Sequence, residues 1–277
     1  MYVAEWVSGN RAMDYTIAFL VLIFAIGFIG SFISGMVGIG GAIINYPMLL
    51  FIPSLFGFAA FSAHEVSGIS AVQVLVATMS GVYVYRNSGF LNKRLIVYMG
   101  TAILIGSLIG GFGSGDLSEQ TVNLIYGIVA LIAAILMFIP SKTNEDIQMK
   151  DLQYSIVWAT FLAFIVGVLS GVVGAGGAFL LVPIMIVFLK MPTRITIATS
   201  LAITFISSIG TTIAKVATDQ VLPIPAIVLV VASLLAAPLG AKYGQKVNQK
   251  VLKWILAVLI TVTAIKIWWD LFVQWTT

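Results

Sequence analysis

The chain has 277 residues, of which 60% are hydrophobic and 9% charged, and its mean hydropathy is +1.10. Soluble globular domains carry roughly 25% charged residues, so 14 basic and 10 acidic side chains cannot cover a water-soluble protein of this size. The apolar runs approach the ~20 residues of a membrane-spanning helix and lack the alternation of a transmembrane β-barrel. The composition therefore predicts an all-α polytopic membrane protein.

The sequence offers few residues for catalysis or metal binding. It has no cysteine and a single histidine, His64, which excludes disulfides, thiolate metal sites and a cysteine nucleophile. Its basic residues lie in short loops between apolar runs, where they are typical of topology signals. We therefore expect no enzyme activity, catalytic residue, metal site, cofactor or nucleic-acid partner.

Hydropathy predicts ten apolar segments. In chain order they are 15–36, 40–60, 65–85, 95–112, 120–139, 152–173, 176–189, 195–215, 225–241 and 252–272. Glycine and proline interrupt the second and the seventh, which either span the membrane or form re-entrant hairpins with the segments before them. A polar linker, 141–151, divides the chain into two halves of five segments, 1–140 and 152–277.

Basic residues collect in alternate loops. If every segment reverses the chain, one side receives Arg86, Lys93, Arg94, Lys142, Lys150, Lys190, Arg194, Lys242, Lys246, Lys250 and Lys253. The positive-inside rule places this side in the cytoplasm and both termini outside. Lys215 and Lys266 lie near the ends of apolar segments, from where we expect their ammonium groups to reach the membrane surface.

A glycine-rich motif occurs once in each half. Residues 34–47 read SGMVGIGGAIINYP, and residues 170–183 read SGVVGAGGAFLLVP, at an offset of 136. Further along, an offset of 130 aligns Ser70 with Ser200. The aligned loops carry opposite charge, as expected for repeats of inverted topology. Such repeats are typical of secondary transporters that hold their substrate near the membrane midplane.

The duplicated S-G-x-V-G-x-G-G-A motif, with a proline five residues on, resembles the TauE/SafE family of sulfite and organosulfonate permeases. The resemblance extends from about Ser34 to Trp269. It implies a multi-pass permease of a prokaryotic inner membrane for small sulfur-containing anions such as sulfite, thiosulfate or organosulfonates. The anion and the lipid bilayer are the implied partners, and protons are one hypothesis for the coupling ion. A passive anion channel and a carrier of another small organic anion are the alternatives. The oligomeric state stays open.

The motif glycines are the first candidate binding residues, because a helix that begins after them would present free N–H groups to an anion. They are Gly38, Gly40, Gly41, Gly174, Gly176 and Gly177. The alternative is that they only permit close helix packing.

Polar side chains inside apolar segments form the second group of candidates. They are Asn45, Ser70, Gln73, Thr199 and Ser200. Their N–H and O–H groups suit sulfonate oxygens, and hydrogen bonding within or between helices is the alternative. The third group is His64 and Arg194, which align with each other. Cations at equivalent points of two entrances would attract an anion, and the alternative assigns both to the protein surface.

Overall fold

In the computed structural model, which describes residues 16–139 and 154–276, the chain forms ten α-helices, one for each predicted segment. They are α1 (Ile17–Val37), α2 (Ala42–Leu55), α3 (Ala63–Tyr85), α4 (Lys93–Gly113), α5 (Glu119–Phe138), α6 (Ile156–Val173), α7 (Ala178–Val187), α8 (Thr193–Ala217), α9 (Pro223–Gly244) and α10 (Gln249–Thr276). The prediction of an all-α membrane protein is confirmed. The predicted linker 141–151 lies outside the described residues.

Eight of these helices are long and apolar enough to cross a membrane. The exceptions are α2, with 14 residues, and α7, with 10. At 1.5 Å per residue they measure about 21 Å and about 15 Å, against a hydrocarbon core of about 30 Å. Neither crosses that core as a helix. The apolar run after α2 continues towards residue 60, but the helix ends at Leu55, just before Gly57 adopts a φ of 80°.

Side-chain caps mark where several long helices begin. The hydroxyls of Thr16 and Ser62 accept hydrogen bonds from backbone N–H groups in the first turns of α1 and α3. The side-chain oxygen of Asn92 accepts one in the first turn of α4. Such caps satisfy donors that a helix start leaves without partners. The short helices differ, because their N-cap residues are Gly41 and Gly177, which have no side chain.

The helices pack in matched pairs. The helix α1 packs against α9, and α6 packs against α4. In the centre, α3 contacts α8 and α9, while α8 contacts α3 and α4. The helices α5 and α10 contact each other and also contact α7 and α2, respectively. Exchanging α1–α5 with α6–α10 leaves this set of pairs unchanged.

Backbone contacts repeat in the same way. A Cβ added to Gly35 in α1 would collide with the carbonyl of Ala237 in α9, and one added to Gly171 in α6 would collide with the carbonyl of Ser107 in α4. Small residues that allow such close approach are common between membrane helices. Large apolar side chains cover the exposed faces of the long helices, as expected against lipid.

The bundle has two ends, which we name after a residue at each. The Lys215 end contains the start of α3 and the ends of α4, α6 and α8, and Lys215 Nζ donates there to Ser114 Oγ at 2.7 Å. The Arg194 end contains the end of α3 and the starts of α4 and α8. There the backbone N–H of Asn92 donates to Thr199 Oγ1 at 3.1 Å.

Candidate binding site at the two glycine turns

Each glycine motif forms a turn between a long helix and a short one. Gly38 and Gly174 end α1 and α6 with φ angles of 79° and 77°. Gly41 and Gly177 precede α2 and α7 with φ angles of 92° and 81°. Residues with a Cβ rarely adopt such angles. The motif is therefore glycine-rich because the turn requires it.

The two turns meet midway along the central helices. A Cβ added to Gly40 would lie 3.2 Å from Val74 Cγ1 in α3 and 3.2 Å from Thr204 Cγ2 in α8. A Cβ added to Gly176 would lie 2.7 Å and 2.8 Å from the same two atoms. One pair of side chains therefore contacts both turns.

The short helices begin at these turns and run towards opposite ends of the bundle. In α2, the Tyr46 hydroxyl donates to Asn123 Oδ1 at 2.9 Å, near the start of α5 at the Lys215 end. The helix α7 leads into Thr193, which starts α8 at the Arg194 end. Because both helices begin at the turns, their first-turn N–H groups and positive dipole ends point towards the centre. No N-cap side chain accepts from these N–H groups.

Buried polar atoms of the four helices α1, α2, α3 and α8, which form or contact the turns, have no hydrogen-bond partners among the described residues. They include Ser34 Oγ, Asn45 Oδ1 and Nδ2, Ser70 Oγ, Gln73 Oε1, Thr204 Oγ1 and Ser207 Oγ. The Gln73 amide lies against Gly41, where a Cβ would be 2.7 Å from its Nε2, and this nitrogen donates to Ser31 Oγ at 2.8 Å. Each buried polar atom without a partner costs about 1–3 kcal/mol, so a ligand or water that supplied hydrogen bonds to these atoms would be stabilised here.

Two predicted hydroxyls have partners elsewhere in the protein. Ser200 Oγ donates to the carbonyls of Gly38 and Ile197, both at 3.1 Å, and so contacts the first glycine turn. Thr199 points away from the turns, because its Oγ1 donates to Phe90 O at 3.3 Å in the loop between α3 and α4. The structure therefore brings the glycines, Gln73 and Ser200 together and leaves Thr199 at the Arg194 end.

The aligned residues His64 and Arg194 lie at opposite ends of the bundle. His64 is half-buried at the Lys215 end, with Nε2 3.0 Å from Leu117 O and Nδ1 3.3 Å from Gln220 Oε1. Arg194 is half-buried at the other end, and its Nε has no partner among the described residues. Neither touches the glycine turns, and their roles at two entrances stay predictions.

The expectation that Lys215 reaches the membrane surface is wrong. Its side chain is 0% exposed, and Nζ donates to Ser114 Oγ at 2.7 Å, Val172 O at 2.9 Å and Gln220 Oε1 at 2.7 Å. These acceptors come from the ends of α4 and α6 and from the loop after α8. The side chain turns inwards because this end of the bundle offers it three acceptors.

Sequence reasoning did not select Val74 or Thr204. At the offset of 130 they align with each other, four residues after Ser70 and Ser200. A spacing of four places them on the same helix face as the selected serines. That spacing was the signal that could have found them.

Comparison with known proteins agrees with these observations. Residues 23–267 match the family described as "Sulfite exporter TauE/SafE". The chain belongs to this family. The resemblance to this family that the duplicated motif indicated is therefore confirmed. The chain is a multi-pass membrane transporter and not an enzyme.

Similar proteins carry the name "Probable membrane transporter protein". YunE of Bacillus subtilis is 25% identical over 206 residues, which cover 68% of this chain and 75% of the relative. A protein of Xylella fastidiosa is 27% identical, covering 67% and 70%, and one of Methanocaldococcus jannaschii is 26% identical, covering 69% and 70%. No solved structure matches the chain.

Proposed function

We propose that the protein is a secondary transporter of small sulfur-containing anions such as sulfite, thiosulfate or an organosulfonate. The observation that carries this proposal is the convergence of two uncapped helix N-termini on Val74 and Thr204. Helix N-termini bind anions through backbone N–H groups and the positive end of the dipole. Two of them stabilise an anion inside the bilayer without a buried cation at the site.

The surrounding side chains support an oxyanion as the ligand. The hydroxyls of Ser70 and Thr204 and the Nδ2 group of Asn45 can donate hydrogen bonds and have no partner among the described residues. Sulfite, thiosulfate and sulfonates each present three oxygens that accept hydrogen bonds in different directions. Donors on several helices therefore fit such a group better than a planar carboxylate, which presents two.

We propose further that 1–140 and 152–277 are inverted repeats and that they work by alternating access. The matched helix pairs and the opposite directions of α2 and α7 support this arrangement, which is typical of transporters with a midplane site. The central side chains of Ser70, Gln73 and Thr204 are 0% exposed. Movement of one half against the other would open the site to each side in turn.

The charge distribution supports an orientation in a prokaryotic inner membrane. The loops at the Arg194 end carry Arg86, Lys93 and Lys190, whereas the loops at the Lys215 end carry Asp116 and Asp219. The positive-inside rule places the Arg194 end in the cytoplasm. The Lys215 end and both termini then face outwards.

Protons stay one hypothesis for the coupling ion. Glu65 is the acidic residue beside His64, and its carboxylate accepts from Ser62 N–H at 2.7 Å in a capping box. This contact gives Glu65 a structural role at the start of α3 and does not identify it as a proton carrier. Proton coupling is therefore tested by measuring anion flux with and without a proton gradient.

The test is binding followed by flux. Purified protein is titrated calorimetrically with sulfite, thiosulfate, sulfoacetate and taurine, with sulfate, phosphate and acetate as controls. A ligand that binds only the folded state also raises the melting temperature. We expect selective binding of a sulfur anion and its accumulation in liposomes, measured with and without a proton gradient. Equal binding of acetate contradicts the substrate class, and flux that never concentrates the anion indicates a channel.

A further inference from the structure

The buried Lys215 has neutral hydrogen-bond partners. Its ammonium group donates to a serine hydroxyl, a backbone carbonyl and the amide oxygen of Gln220. A charge without an ionic partner is costly to bury inside a membrane protein, and such residues mark transport pathways. A buried charge of this kind in a membrane-spanning bundle is a candidate for a functional site.

Helix ends supply part of the compensating charge. Ser114 is the C-cap residue of α4, Val172 lies in the last turn of α6, and Lys215 itself lies in the last turn of α8. Helix C-termini carry partial negative charge. The ammonium is therefore held in place at the meeting point of three helices, and it retains the capacity to bind an anion.

Gln220 lies between Lys215 and a second basic group. Its Oε1 is 2.7 Å from Lys215 Nζ and 3.3 Å from His64 Nδ1. Its Nε2 donates to Thr218 Oγ1 at 2.9 Å and to Ser114 Oγ at 3.2 Å, which holds the amide in this position. A neutral amide oxygen thus occupies a position where a charged oxygen would form stronger hydrogen bonds.

This cluster adjoins the second glycine turn. The Val172 carbonyl that accepts from Lys215 also accepts from Ser67 Oγ at 3.1 Å. Ser67 in turn lies against Gly174, where a Cβ would be 2.7 Å from its Oγ. Ser67 therefore connects the Lys215 cluster to the second glycine turn.

Among the described residues, the positions at the opposite end that align with Lys215 and Gln220 do not repeat this cluster. At the offset of 130, Lys215 aligns with Tyr85 and Gln220 aligns with Phe90. Neither residue can supply the cation or the amide, although Arg194 occupies the position that aligns with His64. The cluster is therefore specific to one end of the pathway.

We propose that Lys215, His64 and Gln220 form a second anion site, the Gln220 site, on the route between the central site and the Lys215 end. This inference rests on the proposed anion transport. A small sulfur oxyanion displaces the Gln220 amide oxygen, binds between Lys215 and His64, and is released when the amide returns. The amide thereby competes with the transported anion.

Gln220→Glu tests this competition with almost no change in shape. The carboxylate would pair permanently with Lys215 and block the Gln220 site. We expect exchange of labelled sulfite, thiosulfate or sulfoacetate across liposomes to slow by about tenfold or more, the effect of one hydrogen bond to a charged group. Calorimetric binding at the central site and the melting temperature should not fall. Gln120→Glu, an exposed change at the same end, is the matched control and should exchange normally.

Lys215→Met removes the cation, and Lys215→Arg retains it. We expect exchange to fall about tenfold or more in the Met variant and to recover partly in the Arg variant. Lys242→Met removes an exposed lysine at the other end and should have no effect. If the Met variant fails to fold, Gln220→Glu alone decides the question.

The outcomes separate the two proposals. Normal exchange by Gln220→Glu, or slowing that only follows a lower melting temperature, overturns the Gln220 site and leaves the proposed function intact. A wild-type protein that neither binds nor exchanges any of the sulfur anions overturns the proposed function itself.

Discussion

Val74 and Thr204 lie in the two central helices, and each contacts both glycine turns. The turns come from different halves of the chain, so this pair connects four elements at one point. A shift of α3 relative to α8 would move the pair against both helix N-termini together. The two residues also differ, because only Thr204 carries a hydroxyl, and its Oγ1 has no partner among the described residues.

Thr204→Val removes this hydroxyl and keeps a side chain of similar shape. Since the hydroxyl is buried without a partner, its loss should leave stability unchanged or slightly raised. Binding of the sulfur anion should weaken by about tenfold if the hydroxyl donates to it. Calorimetric titration and thermal unfolding measure the two effects.

Thr211→Val is the control, made in the same helix at another fully buried position. The Thr211 hydroxyl donates to Ser207 O at 3.1 Å, within its own helix. The Thr211→Val substitution should therefore lower the stability of the protein and leave its affinity for the anion unchanged. Equal affinities in wild type and Thr204→Val would remove Thr204 from the site.

Gly40→Ala and Gly176→Ala test the turns themselves. Both glycines have positive φ angles, 74° and 64°, so alanine should destabilise the protein by about 1–2 kcal/mol. The added methyl also displaces Val74 or Thr204, more so at Gly176, where the contacts are shorter. We expect both variants to lose transport, Gly176→Ala more completely.

Gly89→Ala separates backbone strain from position. Gly89 has a φ of 75°, and no atom lies within 4 Å of the position of an added Cβ, so alanine imposes similar backbone strain in the loop between α3 and α4. Its flux in liposomes should stay near that of wild type despite reduced stability. If all three variants lost flux equally, strain alone would account for the result.

Much of the fold follows from local patterns. The ten helices follow the apolar runs, and the positive φ angles of Gly38 and Gly174 follow from a motif that only glycine satisfies. The short length of α2 depends on Gly57, which ends the helix while the apolar run continues. Hydropathy does not register such an end, because it measures solvation and not backbone geometry.

The positions of individual polar side chains depend on distant partners. In the sequence, Lys215 lies near the end of an apolar segment, where a lysine is expected to reach the membrane surface. Its burial is decided by Ser114 and Val172, which lie 101 and 43 residues away along the chain. Ser70 and Ser200 align, yet Ser200 bonds to Gly38 O while Ser70 Oγ lacks a partner among the described residues. The sequence alignment predicts equivalent positions but does not predict equivalent hydrogen bonds.

This difference between the aligned serines is itself testable. Ser200→Ala removes a hydrogen bond to the first glycine turn and should cost about 1 kcal/mol of stability. Ser70→Ala removes a buried hydroxyl without a partner and should cost little stability. If the Ser70 hydroxyl binds the anion, only affinity falls in that variant. Thermal unfolding and calorimetry on both variants measure the contrast, and equal stability losses would contradict it.

The orientation can be tested because the natural chain contains no cysteine. Lys246→Cys places a thiol in the loop between α9 and α10 at the Arg194 end, and Gln120→Cys places one at the start of α5 at the Lys215 end. Both positions are exposed. A membrane-impermeant maleimide added to intact cells should label Gln120→Cys and spare Lys246→Cys until the cells are lysed, because the loops rich in lysine and arginine stay in the cytoplasm. The reverse pattern would invert the orientation and place the Gln220 site at the cytoplasmic entrance. Labelling of both thiols in intact cells would show that the bundle does not separate its two ends across the membrane as proposed.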